Sequence, residues 1–132
     1  SNDNWGAACP ISSVPYSNAQ STTGATLQFN EPAPTCGSGA STGKTVWYRY
    51  TAPLGAPATR TVSTVDPGTN YDTVVQVYLE VQGDPHVPVA CNDDSEGTTQ
   101  STVEFMAIPG ATYLIQVGGY NGASGTLVFH MT

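Results

Sequence analysis

Five oxygen-bearing residues, Asn92, Asp93, Asp94, Ser95 and Glu96, stand side by side in a chain of which only 10% is charged. Neighbouring carboxylates repel one another unless a cation sits between them or water screens them. The run is therefore either a cation site or a solvated turn whose side chains cap backbone amides. Ca²⁺ takes six to eight oxygens from carboxylates, amides and carbonyls, so one short turn supplies only part of a shell. The outside donors on offer are Asn2, Asp3 and Asn4 near the amino end, Asp72 in NYDTVV, and Glu31. The spacing is not that of an EF-hand loop.

Other chemistry is weakly signalled. His86 and His130 are far apart in the chain, and neither lies in a nucleophile elbow or an HExxH run. An ordinary surface or loop position is the expectation for each, and no enzyme is expected. Flat sugar-binding faces use exposed aromatic rings with polar tips, for which Trp5, Trp47, Tyr48, Tyr50, Tyr113 and Tyr120 are available. In VWYRYT, strand alternation sets Val46, Tyr48 and Tyr50 on one face and Trp47, Arg49 and Thr51 on the other. With the first trio in the core, Trp47 and Arg49 either face outward, paired by a cation–π contact, or Trp47 lies under the long front loop, the commoner place for a tryptophan. Tyr120 and Asn121, in GGYNGASG, belong on an exposed hairpin tip. Trp47, Arg49, Tyr120 and Asn121 are the ligand-binding candidates; Asn2, Asp3, Asp72, Asn92, Asp93 and Asp94 are the metal candidates.

The elements that must position these residues are strands. Period-two alternation recurs in TVWYRYTA, RTVSTV, TVVQVYLEV, VPVAC, STVEFMAI, TYLIQVGGY and GTLVFHMT, and more weakly in CPISSVPY and GATLQFN. Segments dense in Gly, Pro, Asn and Asp separate them. About seven to nine short strands at this spacing predict an all-β, antiparallel β-sandwich of jelly-roll type. Val103, Phe105 and Ala107 share one face, as do Leu127, Phe129 and Met131, which places Glu104 and His130 outward. Residues 30–44 carry no pattern and predict a loop that crosses an edge or an end of a sheet.

At 132 residues the chain fits one domain, spanning 1–132, with room for a sizeable core. No window holds the roughly 18 to 20 apolar residues of a membrane span, and the amino end lacks the pattern of a signal peptide. Ten acidic residues against Lys44, Arg49 and Arg60 give a formal charge of −7, which argues against nucleic acid and anionic membrane as partners. The composition is one common among secreted β-rich modules. Cys9, Cys36 and Cys91 allow one disulfide and fit no CxxC metal pattern. Cys9 with Cys36 is favoured, as a staple of the loop-like front third worth about 3 to 4 kcal/mol; the other pairings stay open.

The segments NDNWGAA, TTGAT, VWYRYTAP, YDTVVQVY, VACNDD and PGATYLIQVGGYNGASGTLVF, in this order, resemble the bacterial pre-peptidase C-terminal domain family over nearly the whole chain. The resemblance implies a β-sandwich accessory module of a secreted multidomain enzyme, without catalysis of its own. Similar domains of collagenases bind collagen and use Ca²⁺ held partly at the amino-terminal edge, which corresponds here to Asn2 and Asp3. The collagen-contacting aromatics find no residue-by-residue match. The resulting expectation is a monomeric, secreted, calcium-stabilised module, linked to a catalytic domain, that binds an extracellular polymer, a polysaccharide before a protein matrix. A secretion or folding appendage that is clipped off and has no ligand is the alternative, and an independent hydrolase ranks third.

Overall fold

The computed structural model describes residues 2–36, 42–95 and 97–132. Glu96 and the middle of the front loop, residues 37–41, lie outside them. Among the described residues nine strands follow a 3₁₀ turn at Trp5–Ala7: β1 (Cys9–Ile11), β2 (Tyr16–Ser21), β3 (Thr42–Thr51), β4 (Ala58–Ser63), β5 (Thr73–Val81), β6 (Asp84–Asn92), β7 (Thr102–Ala107), β8 (Thr112–Tyr120) and β9 (Thr126–Met131). They form a five-stranded sheet of order β1-β3-β8-β5-β6 and a four-stranded sheet of order β2-β9-β4-β7. The two sheets make a β-sandwich. Pairing is antiparallel except for β1, which runs parallel to β3.

The inner faces follow the expected alternation. Val46, Tyr48 and Tyr50 of β3 meet Val103, Phe105 and Ala107 of β7 and Leu127, Phe129 and Met131 of β9 in one buried cluster. Tyr48 stacks on Phe129 with ring centroids 3.8 Å apart and planes 11° from parallel. Each such side chain contributes about 1.5 to 3 kcal/mol by leaving water. Glu104 is exposed, and His130 is half-buried on the outer face.

GATLQFN forms no strand. Its apolar residues are instead displayed, with Leu27 57% and Phe29 87% exposed. The second strand is YSNAQS, in which the half-buried positions are Tyr16, Asn18 and Gln20. Two carboxamides where a sandwich calls for apolar side chains hid this strand from hydrophobic periodicity.

The central strands β5 and β8 are buried almost without interruption rather than at alternate residues, because the outer face of the five-stranded sheet is covered as well. Residues 31–36 cross that face as a strap. Glu31 accepts from Thr45 Oγ1 of β3 and, at 2.9 Å, from Gln116 Nε2 of β8. Gln116 Nε2 also donates to the Pro32 carbonyl at 2.9 Å. Gln76 Oε1 of β5 accepts from Thr35 N and Oγ1, both at 2.8 Å. A segment without regular structure must find partners for its backbone groups when it lies on a sheet, and the two buried glutamines supply them.

The strap ends at Cys36, which is bonded to Cys91 of β6. This corrects the favoured pairing of Cys9 with Cys36. Cys9 lies on β1, at the opposite edge of the five-stranded sheet from β6, and is the free cysteine. The described part of the front loop, residues 31–36, thus crosses a sheet face and not an edge or an end.

Candidate metal centre

Strands β5 and β6 are antiparallel neighbours with Val75 opposite Asn92. The residue before β5 and those after β6 therefore meet at one end of the sheet. Asp72 precedes β5, held by a hydrogen bond from Tyr120 N to its carbonyl at 2.9 Å. Asp93 and Asp94 follow β6. Their carboxylates converge with that of Asp72: one oxygen from each of the three lies within 4.8 Å of the other two.

The turn that presents them is locked. Asn92 Oδ1 accepts from Thr102 N at 3.0 Å, and its Nδ2 donates to the Asp94 carbonyl at 3.2 Å. Ser95 N donates to the Gln100 carbonyl at 2.6 Å. Ser101 Oγ lies within hydrogen-bond reach of the carbonyls of Asp93 and Thr73, to one of which it donates, and Thr64 and Thr73 share a buried hydroxyl bond of 2.6 Å below them. These serines and threonines, which no motif marks, set the spacing of the acids.

Asp72 Oδ1 and Asp93 Oδ1 are buried without a hydrogen-bond partner. An ionised oxygen in that state costs several kcal/mol unless a positive charge answers it. Burial, with Asp94 and Asp93 beside it, pushes the Asp72 carboxyl up to about 6. Burial and then Asp94 raise Asp93 also. Oxygen donors without thiol or imidazole suit a hard cation such as Ca²⁺ and not zinc or copper. The three carboxylates could supply part of a calcium shell.

The other metal candidates are engaged with partners of their own. Asp3 accepts from Thr26 N and Thr26 Oγ1, both at 2.7 Å, which ties the amino-terminal segment to the loop after β2. Asn2 Nδ2 donates to the Trp47 carbonyl at 3.0 Å. Asn92 spends both ends of its carboxamide on the turn itself. Asp72 is the outside residue that joins Asp93 and Asp94.

The ligand-binding candidates do not share a surface. Trp47 is 0% exposed, stacked on Tyr78 at 5.9 Å and flanked by Trp5 at 6.0 Å and His86 at 5.7 Å. It offers no open face for stacking and forms a second core cluster with Tyr78 and Leu114. Trp5, Ala8 and His86 pack around it, in place of the front loop that the sequence suggested as its cover. Burial holds His86 below the usual imidazole range. Arg49 pairs with Glu80 through two bonds of 2.6 and 3.2 Å, not with a ring. Arg49 is opposite Leu114, whereas Tyr120 lies six residues further along β8, ~20 Å away. Asn121 is exposed in the turn after β8, where its φ of 56° is one that asparagine tolerates.

Ser17 Oγ and His130 Nδ1 are 2.7 Å apart, and His130 Nε2 lies 2.8 Å from Asp66 Oδ2. The Gly68 N–H and then His130 hold Asp66 below the usual carboxylate range. The trio sits on the outer face of the four-stranded sheet, tying β2 and β9 to the turn after β4.

No family model and no curated protein matches the chain. Among solved structures, the pre-peptidase C-terminal domain of collagenase from Bacillus anthracis is similar with a TM-score of 0.63, over 95% of this chain and 94% of that one, at 15% identity. The likeness is one of fold. It agrees with the resemblance carried by the sequence segments from NDNWGAA to GTLVF.

Proposed function

We propose that the chain is a calcium-stabilised, non-catalytic accessory domain of a secreted multidomain enzyme, which holds a linked catalytic domain against an extracellular polymer. The likeness in fold to a domain of a collagenase supports the accessory role. The convergence of Asp72, Asp93 and Asp94 around two buried, unpartnered oxygens is the observation that carries the calcium reading. The Cys36–Cys91 disulfide suits an oxidising compartment. Among the described residues no helix is long and apolar enough to cross a membrane.

Bound at this end of the sheet, calcium would join the start of β5 to the turn after β6 and so act on stability, not on chemistry. Thermal unfolding in excess chelator and again in millimolar calcium tests this. A metal present at a hundredfold over its dissociation constant stabilises the folded state by about 2.7 kcal/mol, or about 10 °C in the midpoint for a chain of this size. Asp93→Ala is expected to abolish that rise and, by removing one of the repelling carboxylates, to leave the chelator midpoint at or above that of wild type. A calcium response that survives the substitution refutes the assignment.

A further inference from the structure

The opposite edge of the sandwich is left open between its sheets. There β1 edges one sheet and β2 edges the other, and they touch through the Cys9 thiol and the Tyr16 hydroxyl, 3.2 Å apart. Beside this contact lies a cavity of about 340 Å³ lined by Asn2, Ala7, Ala8, Cys9, Pro10, Asn18 and Gln20. Burial pushes the Tyr16 hydroxyl up to about 12, so this group beside the cavity stays uncharged at neutral pH.

Asn18 and Gln20 are the inward-facing carboxamides of β2. Tyr48, buried in the core, donates its hydroxyl to Asn18 Oδ1 at 2.8 Å and accepts from Gln20 Nε2 at 2.7 Å. Each amide is therefore held by one end. Asn18 Nδ2 and Gln20 Oε1 have no hydrogen-bond partner among the described residues. A donor and an acceptor on one wall are thus fixed from behind.

The chain has ten acidic residues, yet none of the described residues that line the cavity is charged. That excludes an ionic ligand as the best fit. Paired donors and acceptors match hydroxyl groups, which both give and take a proton, while Ala7, Ala8 and Pro10 present apolar surface to the C–H face of a ring. The volume is at the lower end of that found for small-molecule sites and suits one or two sugar rings. We propose that this cavity is a binding site for a neutral saccharide, entered from the β1–β2 edge, with Asn18 and Gln20 as its hydrogen-bonding residues. The choice of a sugar over another hydroxyl-rich ligand rests on the polymer-binding role proposed above; the site itself rests on the cavity and its carboxamides.

Cys9 lines the cavity and serves as an internal reporter. The rate of its alkylation by iodoacetamide is measured in the intact chain with maltose, cellobiose, N,N′-diacetylchitobiose or an uncharged capped tripeptide. A saccharide at about ten times its dissociation constant leaves about a tenth of the sites open, so alkylation is expected to slow about tenfold. Gln20→Leu is expected to remove the protection. Ala7→Trp, at an exposed rim position, is expected to block entry with an unchanged unfolding midpoint. Failure of every saccharide to protect Cys9, protection by the tripeptide alone, or protection that survives Ala7→Trp overturns the proposal. Retention of the Ala7→Trp chain on an insoluble polysaccharide at wild-type strength also overturns the cavity site, yet leaves the accessory role standing.

Discussion

Replacing Asp72 by asparagine should change stability in opposite directions with and without calcium. In the metal-free protein, burial, Asp94 and Asp93 raise the Asp72 carboxyl from 3.8 to about 6. A raised acid binds its proton more tightly when folded, so its contribution to stability is complete below about pH 4 and is lost as pH rises through about 6. Two units correspond to about 3 kcal/mol. Because Asp72 is half-buried and water screens part of the repulsion, about 1.5 kcal/mol is the realistic share. Asp72→Asn removes the charge and keeps the shape. At about pH 7.5 in chelator, the variant should therefore be more stable than wild type by about 1.5 kcal/mol, or about 5 °C in the midpoint. In millimolar calcium the order should reverse, since the variant lacks one of three charged ligands. Midpoints measured in chelator from about pH 4 to 8 should fall with rising pH in the wild type and fall less in the variant. A lower metal-free midpoint for Asp72→Asn at neutral pH, or parallel pH curves, would refute the electrostatic account of this cluster.

Other substitutions test the fold around the site. Cys36→Ser combined with Cys91→Ser opens a link between residues 55 apart in sequence, which should cost about 4 kcal/mol in denaturant unfolding; an unchanged midpoint would show that the strap holds without it. Trp47→Ala should cost about 3 to 5 kcal/mol by emptying a fully buried site and leave polymer retention per folded molecule unchanged, whereas a selective loss of retention would return Trp47 to a binding surface. A Cβ at Gly119 would run into the backbone of Ala123, so Gly119→Ala should destabilise by about 3 kcal/mol in the same assay and loosen the turn that holds Asp72 through Tyr120; a neutral effect would mean that the Ala123 turn moves aside.

The fold class was legible in the sequence because burying one face of a strand writes a period of two into it. Val103, Phe105 and Ala107, like Leu127, Phe129 and Met131, could be assigned to the core from that period alone. Local density of acids likewise marked Asp93 and Asp94, since neighbours along the chain are neighbours in space whatever the fold. Three features depended on the tertiary structure. Which acid completes the cluster was decided by the register of β5 against β6, which brings in Asp72 and leaves Asp3 bonded to Thr26. Which cysteines pair was decided by the strap, which carries Cys36 across four strands to Cys91 while β1 holds Cys9 at the far edge. Whether Trp47 is a surface or a core residue was decided by Trp5 and His86 from distant segments. Periodicity reports that a side chain leaves one face of its sheet; what then covers the other face is a matter of long-range packing, on which the local pattern is silent.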